Sequence, residues 1–150
     1  MAVSPALLRS TLRNHLAGAA VGWTEIAGVP EMLGMDPRSL THLGYSVAVP
    51  TSSPVTPDRQ ARGGVHRGAV VQSTVIVRWA YRLPVDDQRN GYDDALASEQ
   101  SLCRIVLAVP GEDQILLRWS AASRSPTSDG SHITGQLEFV CLHTYDLTAE

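Results

Sequence analysis

Lysine is missing from this chain, and all twelve of its basic side chains are arginine. With abundant alanine, glycine and proline, this is typical of a GC-rich genome. It alternatively indicates arginines used for bidentate or stacked contacts at an interface. The net charge of −3 is small, and a large nucleic-acid surface would require a basic stripe that the overall charge does not supply. The composition therefore points to no strongly charged partner.

Cysteine and long apolar runs are also scarce. Cys103 and Cys141 are too few for a disulfide framework, and both lie in apolar patterns, so we expect buried free thiols in a reducing cytosol. No apolar run approaches the length of a membrane span, and the first residues lack a hydrophobic signal core. Residues 1–22, with Arg9, Arg13 and no acid, superficially resemble a transit peptide, but an amphipathic helix explains them more simply. We expect no membrane partner.

Catalytic motifs are absent as well: there is no Gly-x-Ser-x-Gly, phosphate-binding loop, Gly-x-Gly-x-x-Gly or Cys-x-x-Cys. Cys141 and His143 share one strand face and could both reach a metal, but further ligands are lacking. A buried cysteine beside a hydrogen-bonded histidine is the simpler interpretation. Three acidic pairs suit solvated caps and turns better than acid–base catalysis. These pairs are Asp86-Asp87, Asp93-Asp94 and Glu112-Asp113. We expect no enzyme activity, catalytic residue, cofactor or metal.

What the sequence does contain is a mixture of helical and strand periodicity, which predicts one α+β domain over residues 1–150. The order is α-β-β-α-β-β, and the economical arrangement is a mainly antiparallel four-stranded sheet with both helices packed on one face. The predicted helices are Pro5–Ala17, capped by Ser4, and Tyr92–Val109, capped by Asn90. The predicted strands are Tyr45–Val49, Ala69–Leu83, Gln114–Ala121 and Ile133–Leu147. Residues 19–43 have no firm assignment beyond a short helix near Pro37–Leu43.

The predicted core follows from these periods. Apolar residues alternate along the second and fourth strands, and the second helix carries a stripe through Tyr92, Leu96, Cys103 and Leu107. We expect eight side chains to be mostly buried. They are Trp79, Tyr81, Leu96, Leu102, Val106, Leu117, Phe139 and Cys141.

Two stretches of the sequence predict loops. Residues 123–131 join the last two strands. Residues 50–68 are longer and rich in proline, serine and glycine, and loops of this length are usually functional or disordered. The longer loop carries the candidate site residues Arg59, Arg62, His66 and Arg67. It either stays solvated and mobile, or it contacts another protein or lies near a nucleic acid. Because the positive charge is local, contact with DNA would be weak and salt-dependent.

Element order and two segments together resemble the tail-terminator proteins of long-tailed bacteriophages. The segments are QSTVIVRWAYRLPVDDQRNGYDDALASEQSL, residues 72–102, and GQLEFVCLHTYDL, residues 135–147. The resemblance spans nearly the whole chain. It implies a structural virion protein that forms a ring, commonly of six copies, at the head-proximal end of the tail. Such a ring ends tube polymerisation and offers the surface on which the head–neck complex docks.

The resemblance also implies partners and location: other copies of this chain, the tail-tube protein, and a neck or connector protein, with assembly in the host cytoplasm. A weak proximity of the chain to DNA in the ring lumen is a further expectation. Two other classes remain open. A head–tail connector is the nearest alternative, because it is also a ring-forming scaffold. A small-ligand enzyme is more distant, because it needs a pocket with convergent polar groups.

Overall fold

A computed structural model describes residues 4–26, 40–55, 68–110 and 116–146, with the backbone alone for residues 68, 69 and 144–146. Within these residues the chain forms two α-helices and five β-strands. The elements are α1 (Pro5–Ala19), β1 (Thr24–Glu25), β2 (Gly44–Pro54), β3 (Gly68–Arg82), α2 (Gln88–Leu107), β4 (Leu116–Pro126) and β5 (His132–Asp146). Neither helix combines the length and apolar character that crossing a bilayer requires.

The sheet is five-stranded and mixed, in the order β1-β2-β3-β5-β4. The α+β class is confirmed, but the prediction of a four-stranded antiparallel sheet is wrong in part. β1 adds a fifth strand that runs parallel to β2, through hydrogen bonds from Thr24 N to Leu43 O and from Ile26 N to Tyr45 O. A strand of two residues is too short to show an alternation in the sequence.

Both helices pack into the same core. Leu8, Leu12 and Leu16 of α1 form one fully buried cluster with residues of α2 and the inward side chains of the sheet. α1 begins as expected, because the Ser4 hydroxyl accepts a hydrogen bond from Leu7 N at 3.1 Å and Pro5 occupies the first turn. The helix continues to Ala19, two residues beyond its predicted end at Ala17.

The second helix starts earlier than predicted and presents a different face. Its N-cap is Asp87, whose carboxylate accepts from the backbone and side-chain N–H groups of Asn90, so Asn90 is not the cap. The buried stripe runs through Gly91, Ala95, Glu99, Leu102 and Val106. This stripe escaped the sequence analysis because three of its members are small or charged, whereas the more apolar Tyr92 and Leu107 lie outside it.

Two loops are shorter in the structure than the sequence predicts, because polar residues at their ends belong to strands of the sheet. β2 extends to Pro54 and β4 to Pro126, where the sequence predicts loops from residues 50 and 123. In β2 the hydroxyls of Ser52 and Ser73 lie 2.7 Å apart across the strand pair. Strands at an edge need little apolar surface, so a strand of serine, arginine and alanine resembles a loop in the sequence.

Five of the eight predicted core residues are buried: Trp79, Leu102, Val106, Phe139 and Cys141. Tyr81, Leu96 and Leu117 are half-buried, because they lie at the margins of the sheet and of the helix stripe. Cys103 is also half-buried, so the expectation of two fully buried thiols holds for Cys141 alone. Other predictions fall outside the described residues. These are residues 37–39 of the short helix predicted near Pro37–Leu43, the loop residues 56–67, Glu112-Asp113 and Leu147. Residues 40–43 of that predicted helix are described and are not helical.

Leu102→Ala should lower the free energy of unfolding by about 2–5 kcal/mol, the usual range for truncating a buried leucine. Leu102 is fully buried on the inner face of α2, whereas Leu107 on the same helix is 42% exposed and provides a matched control. Chemical denaturation should therefore show a loss for Leu107→Ala that is less than half as large. Equal losses for the two variants would contradict the observed helix face.

Candidate functional site

The four predicted site residues, Arg59, Arg62, His66 and Arg67, all lie outside the described residues. The structure therefore does not bring them together or separate them. In the described part of the chain, the clearest surface suited to recognition is the outer edge of β4. The sequence predicts this strand as Gln114–Ala121 with a loop from residue 123, so β4 is longer than predicted, and the order of elements alone does not show that it lies at the edge.

β4 is the last strand of the sheet, and it pairs with β5 along one side. No described strand lies on its other side. Leu116 is 66% exposed and Trp119 is 50% exposed, and the register places them on opposite faces of the strand. A bulge between Trp119 and Ala121 bends the strand. An eleven-residue strand with a free edge and two exposed apolar side chains is a template for pairing with another chain.

An ion pair holds this edge strand against α2. Arg124 binds Glu99 in a two-pronged contact, with Nη2 to Oε1 at 2.6 Å and Nε to Oε2 at 3.1 Å. The Glu99 side chain is 9% exposed, and its hydrogen bond raises the pKa of the Arg124 guanidinium. The geometry fixes the position of β4 through a charge that is costly to leave unpaired. This ion pair therefore ties the second half of β4 to α2.

The opposite side of the sheet is closed over part of its length. The carbonyls of Leu43 and Tyr45 are occupied by β1, and the carbonyl of Val47 accepts a hydrogen bond from Arg9 Nε of α1 at 2.7 Å. Arg13 and Glu25 form a further ion pair that links α1 to β1. The two sides of the sheet therefore differ in chemistry, with an open β4 edge and a covered first half of β2.

The carboxylate of Asp129 closes the hairpin between β4 and β5 through three hydrogen bonds. The Asp129 carboxylate accepts from the backbone N–H of Ser131 at 3.0 Å, from the Ser131 hydroxyl at 2.7 Å and from the Thr127 hydroxyl at 2.8 Å. These bonds lower the pKa of Asp129 to about 2, with the backbone N–H of Ser131 as the largest cause. Gly130 completes the turn at a φ of +70°, which suits glycine.

A serine–histidine contact is buried near the other end of β3. Ser73 Oγ lies 2.6 Å from His143 Nε2, which is the spacing of a nucleophile and its base. Both side chains are buried, however, and Ser73 has no exposed surface, so a substrate cannot reach the hydroxyl in this conformation. Burial raises the pKa of the neighbouring Cys141 thiol to about 11, which disfavours the thiolate that a metal would need. In the described residues no three acidic, histidine or cysteine side chains cluster at metal-binding spacing.

A scan against protein-family models matches no family, and a search of curated proteins returns no relative. The resemblance to tail terminators therefore stays a prediction.

The hairpin should weaken in acid. The pKa of Asp129 in the folded chain is below its ordinary value of 3.8, so the carboxylate adds stability above that value and loses it as the pH falls towards 2. Carboxyl NMR titration should give a pKa of about 2 for Asp129. Ser131→Ala removes the hydroxyl donor and should move the pKa of Asp129 upwards. A pKa of Asp129 that does not respond to Ser131→Ala would show that the turn is held differently.

Proposed function

We propose that this protein is a ring-forming structural subunit of the tail-terminator type, which caps a phage tail tube, ends its polymerisation and offers the docking surface for the neck. The observation that carries the proposal is the open β4 edge with Leu116 and Trp119 exposed. It adds a surface for self-association to the resemblance in element order. The chain would assemble in the host cytoplasm and function in the virion.

The asymmetry of the sheet favours a ring over a two-fold dimer. A dimer with two-fold symmetry would join β4 to β4, whereas a ring joins one surface to a different surface on the next copy. The second half of β2, Thr51–Pro54, is exposed and lies beyond the part covered by β1 and Arg9. We propose that this half of β2 receives the β4 edge of the neighbouring copy. About six such contacts would close the ring.

We propose that the 50–68 loop forms part of the surfaces that face the tail and the neck. Residues 50–54 of this predicted loop belong to β2, so the remainder starts where β2 ends. If β2 forms the subunit contact, Arg59, Arg62, His66 and Arg67 follow that contact directly in sequence. Arginines there would form charge-assisted hydrogen bonds with acidic groups of the next copy or the tail tube.

The double variant Leu116→Ser/Trp119→Ser should convert rings to monomers. Each side chain contributes about 1.5–3 kcal/mol when fully buried, so every subunit contact should weaken by tenfold or more. Light scattering coupled to size exclusion and negative-stain microscopy measure the assembly. Val21→Ser/Val85→Ser provides the matched control, because both valines are about 90% exposed and lie away from the β4 edge. Rings that survive the first double variant, or a self-matching dimer as the only assembly of the native chain, would contradict the proposal.

Deletion of residues 59–67 tests the loop separately. The deleted chain should keep its circular dichroism spectrum and unfolding transition but lose ring formation or tail joining, since Ala61 and Val65 are the only apolar residues of the deleted sequence. Normal rings together with normal phage yield would show that the loop has no role in assembly.

A further inference from the structure

Asn90 and Gly91 are neighbours in the first turn of α2. Asparagine is chemically labile, and it loses its side-chain amide most readily when glycine follows it. The chain has one other asparagine, Asn14, which precedes a histidine in the interior of α1. Both asparagines are exposed, so the following residue and the position in the helix distinguish them.

Packing requires the glycine at residue 91. A Cβ atom there would lie 2.5 Å from Pro84 Cδ and 3.4 Å from Leu83 Cδ2, and Gly91 itself is buried. The loop before α2 therefore packs on the helix only because residue 91 has no side chain. The same absence leaves the Gly91 nitrogen unhindered as a nucleophile, so the packing of this loop dictates a labile sequence.

The reaction at this dipeptide needs only water as a co-reactant. The backbone nitrogen of Gly91 attacks Asn90 Cγ and forms a bond to it, and the bond from Cγ to the side-chain nitrogen breaks. The proton from the Gly91 nitrogen ends on the departing nitrogen, which leaves as ammonia. Water then opens the resulting succinimide at either carbonyl. One opening gives aspartate, and the other gives isoaspartate, in which the main chain runs through the Cβ atom of residue 90.

In the folded chain a hydrogen bond occupies this nucleophile. The Gly91 N–H donates to the backbone carbonyl of Asp87 at 3.0 Å, which is the first bond of the α2 ladder. Attack on Cγ requires the loss of this bond and of the helical ψ at Asn90, because an extended ψ is needed to bring the two atoms together. Only the first turn has to open, and the ends of helices open more easily than their interiors.

The cap of this turn depends on the amide that deamidation removes. Asn90 Nδ2 lies 2.7 Å from Asp87 Oδ2, whereas the backbone nitrogen of Asn90 lies 3.4 Å from Asp87 Oδ1, which is long for a hydrogen bond. The side-chain amide therefore supplies the shorter of the two contacts with the capping carboxylate. Its loss replaces a donor by a second carboxylate, and two carboxylates that share a site repel each other.

We propose that Asn90 is a site of spontaneous deamidation, that the first turn of α2 controls its rate, and that the modified chain keeps this turn open. Isoaspartate adds one atom to the main chain, so Gly91 loses its bond to Asp87 and its fit against Pro84. The remainder of α2 stays packed through its buried stripe. The modification is a slow, one-way change at one end of a helix. It goes beyond the proposed ring and does not depend on it.

Ageing of the whole chain at mildly alkaline pH tests the site. The samples are digested at acidic pH, where the reaction is slow, and mass spectrometry then measures deamidation at each asparagine. Asn90 should react at least tenfold faster than Asn14, and isoaspartyl methyltransferase should label residue 90. Equal rates at the two asparagines would overturn the proposal. An unmodified Asn90, under conditions in which a synthetic peptide of residues 83–98 deamidates, would also overturn it.

Two variants test the control by the first turn. Asp87→Ala removes the cap and should speed deamidation of Asn90 at least threefold, whereas Asp86→Ala removes the same charge from the neighbouring residue and should change the rate less than half as much. If Asp87→Ala does not fold, low concentrations of urea applied to the native chain replace it. The deamidation rate should then rise in parallel with hydrogen exchange at the Gly91 amide. A rate that responds to neither treatment would show that the turn is not the control.

Hydrogen exchange of the aged chain tests the outcome. The amides of residues 88–91 should exchange at least tenfold faster after modification, while those of residues 99–106 should keep their rates. Asn90→Gln provides the control, because glutamine retains the amide and deamidates far more slowly, and this variant should show no such change on ageing. Unchanged exchange at residues 88–91 in the modified chain would show that the turn closes again.

Discussion

The indole of Trp79 lies across Gly135 of the neighbouring strand, where a Cβ atom would come within 2.2 Å of the ring. Among the described residues Trp79 is the largest fully buried side chain, and it can lie flat only because Gly135 has no side chain of its own. The contact joins β3 to β5 at the centre of the sheet. It also provides the flat surface on which the helices pack, since their buried residues belong to the same cluster.

Burial of the indole leaves one of its polar groups without a hydrogen bond, which costs free energy of folding. Trp79 Nε1 is buried without a hydrogen-bond partner, and an unpaired buried donor costs about 1–3 kcal/mol. The indole offsets that cost through its large buried apolar area. A substituent at residue 135 would push the ring towards α1 and α2. The absence of a side chain at Gly135 therefore determines how closely the helices can pack on this face of the sheet.

Sequence reasoning was most reliable where packing on one face dictates the residues. β3 alternates Val75, Val77 and Trp79 with more exposed neighbours, and both its position and its buried face follow from that alternation. The face of α2 was assigned wrongly because Ala95 and Glu99 belong to it through tertiary contacts: Glu99 is buried only because Arg124, 25 residues later, neutralises it.

Edge strands and the register between strands left even less signal in the sequence. β4 continues to Pro126, past its predicted end at Ala121, because the polar second half of an edge strand resembles a loop, and β1 has too few residues for a period. The register that brings residues 78, 136 and 123 into one row also leaves no local pattern, because register between distant strands is a property of the fold. The four basic residues predicted as a site lie outside the described residues, so they stay a prediction.

The central strand pair also constrains the order of folding. β3 and β5 pair antiparallel along their whole length, and the partners nearest in sequence are Arg82 and His132, while Gly68 meets Asp146. β4 and β5 form a local hairpin, which closes quickly, but β3 must wait for β5 across an intervening helix and strand. Until then β3 is a long, apolar strand whose backbone N–H and C=O groups on the β5 side have no strand partner. A slow step that joins a preformed hairpin to β3 is therefore built into the topology, and it is the stage at which the nascent chain most needs protection from aggregation.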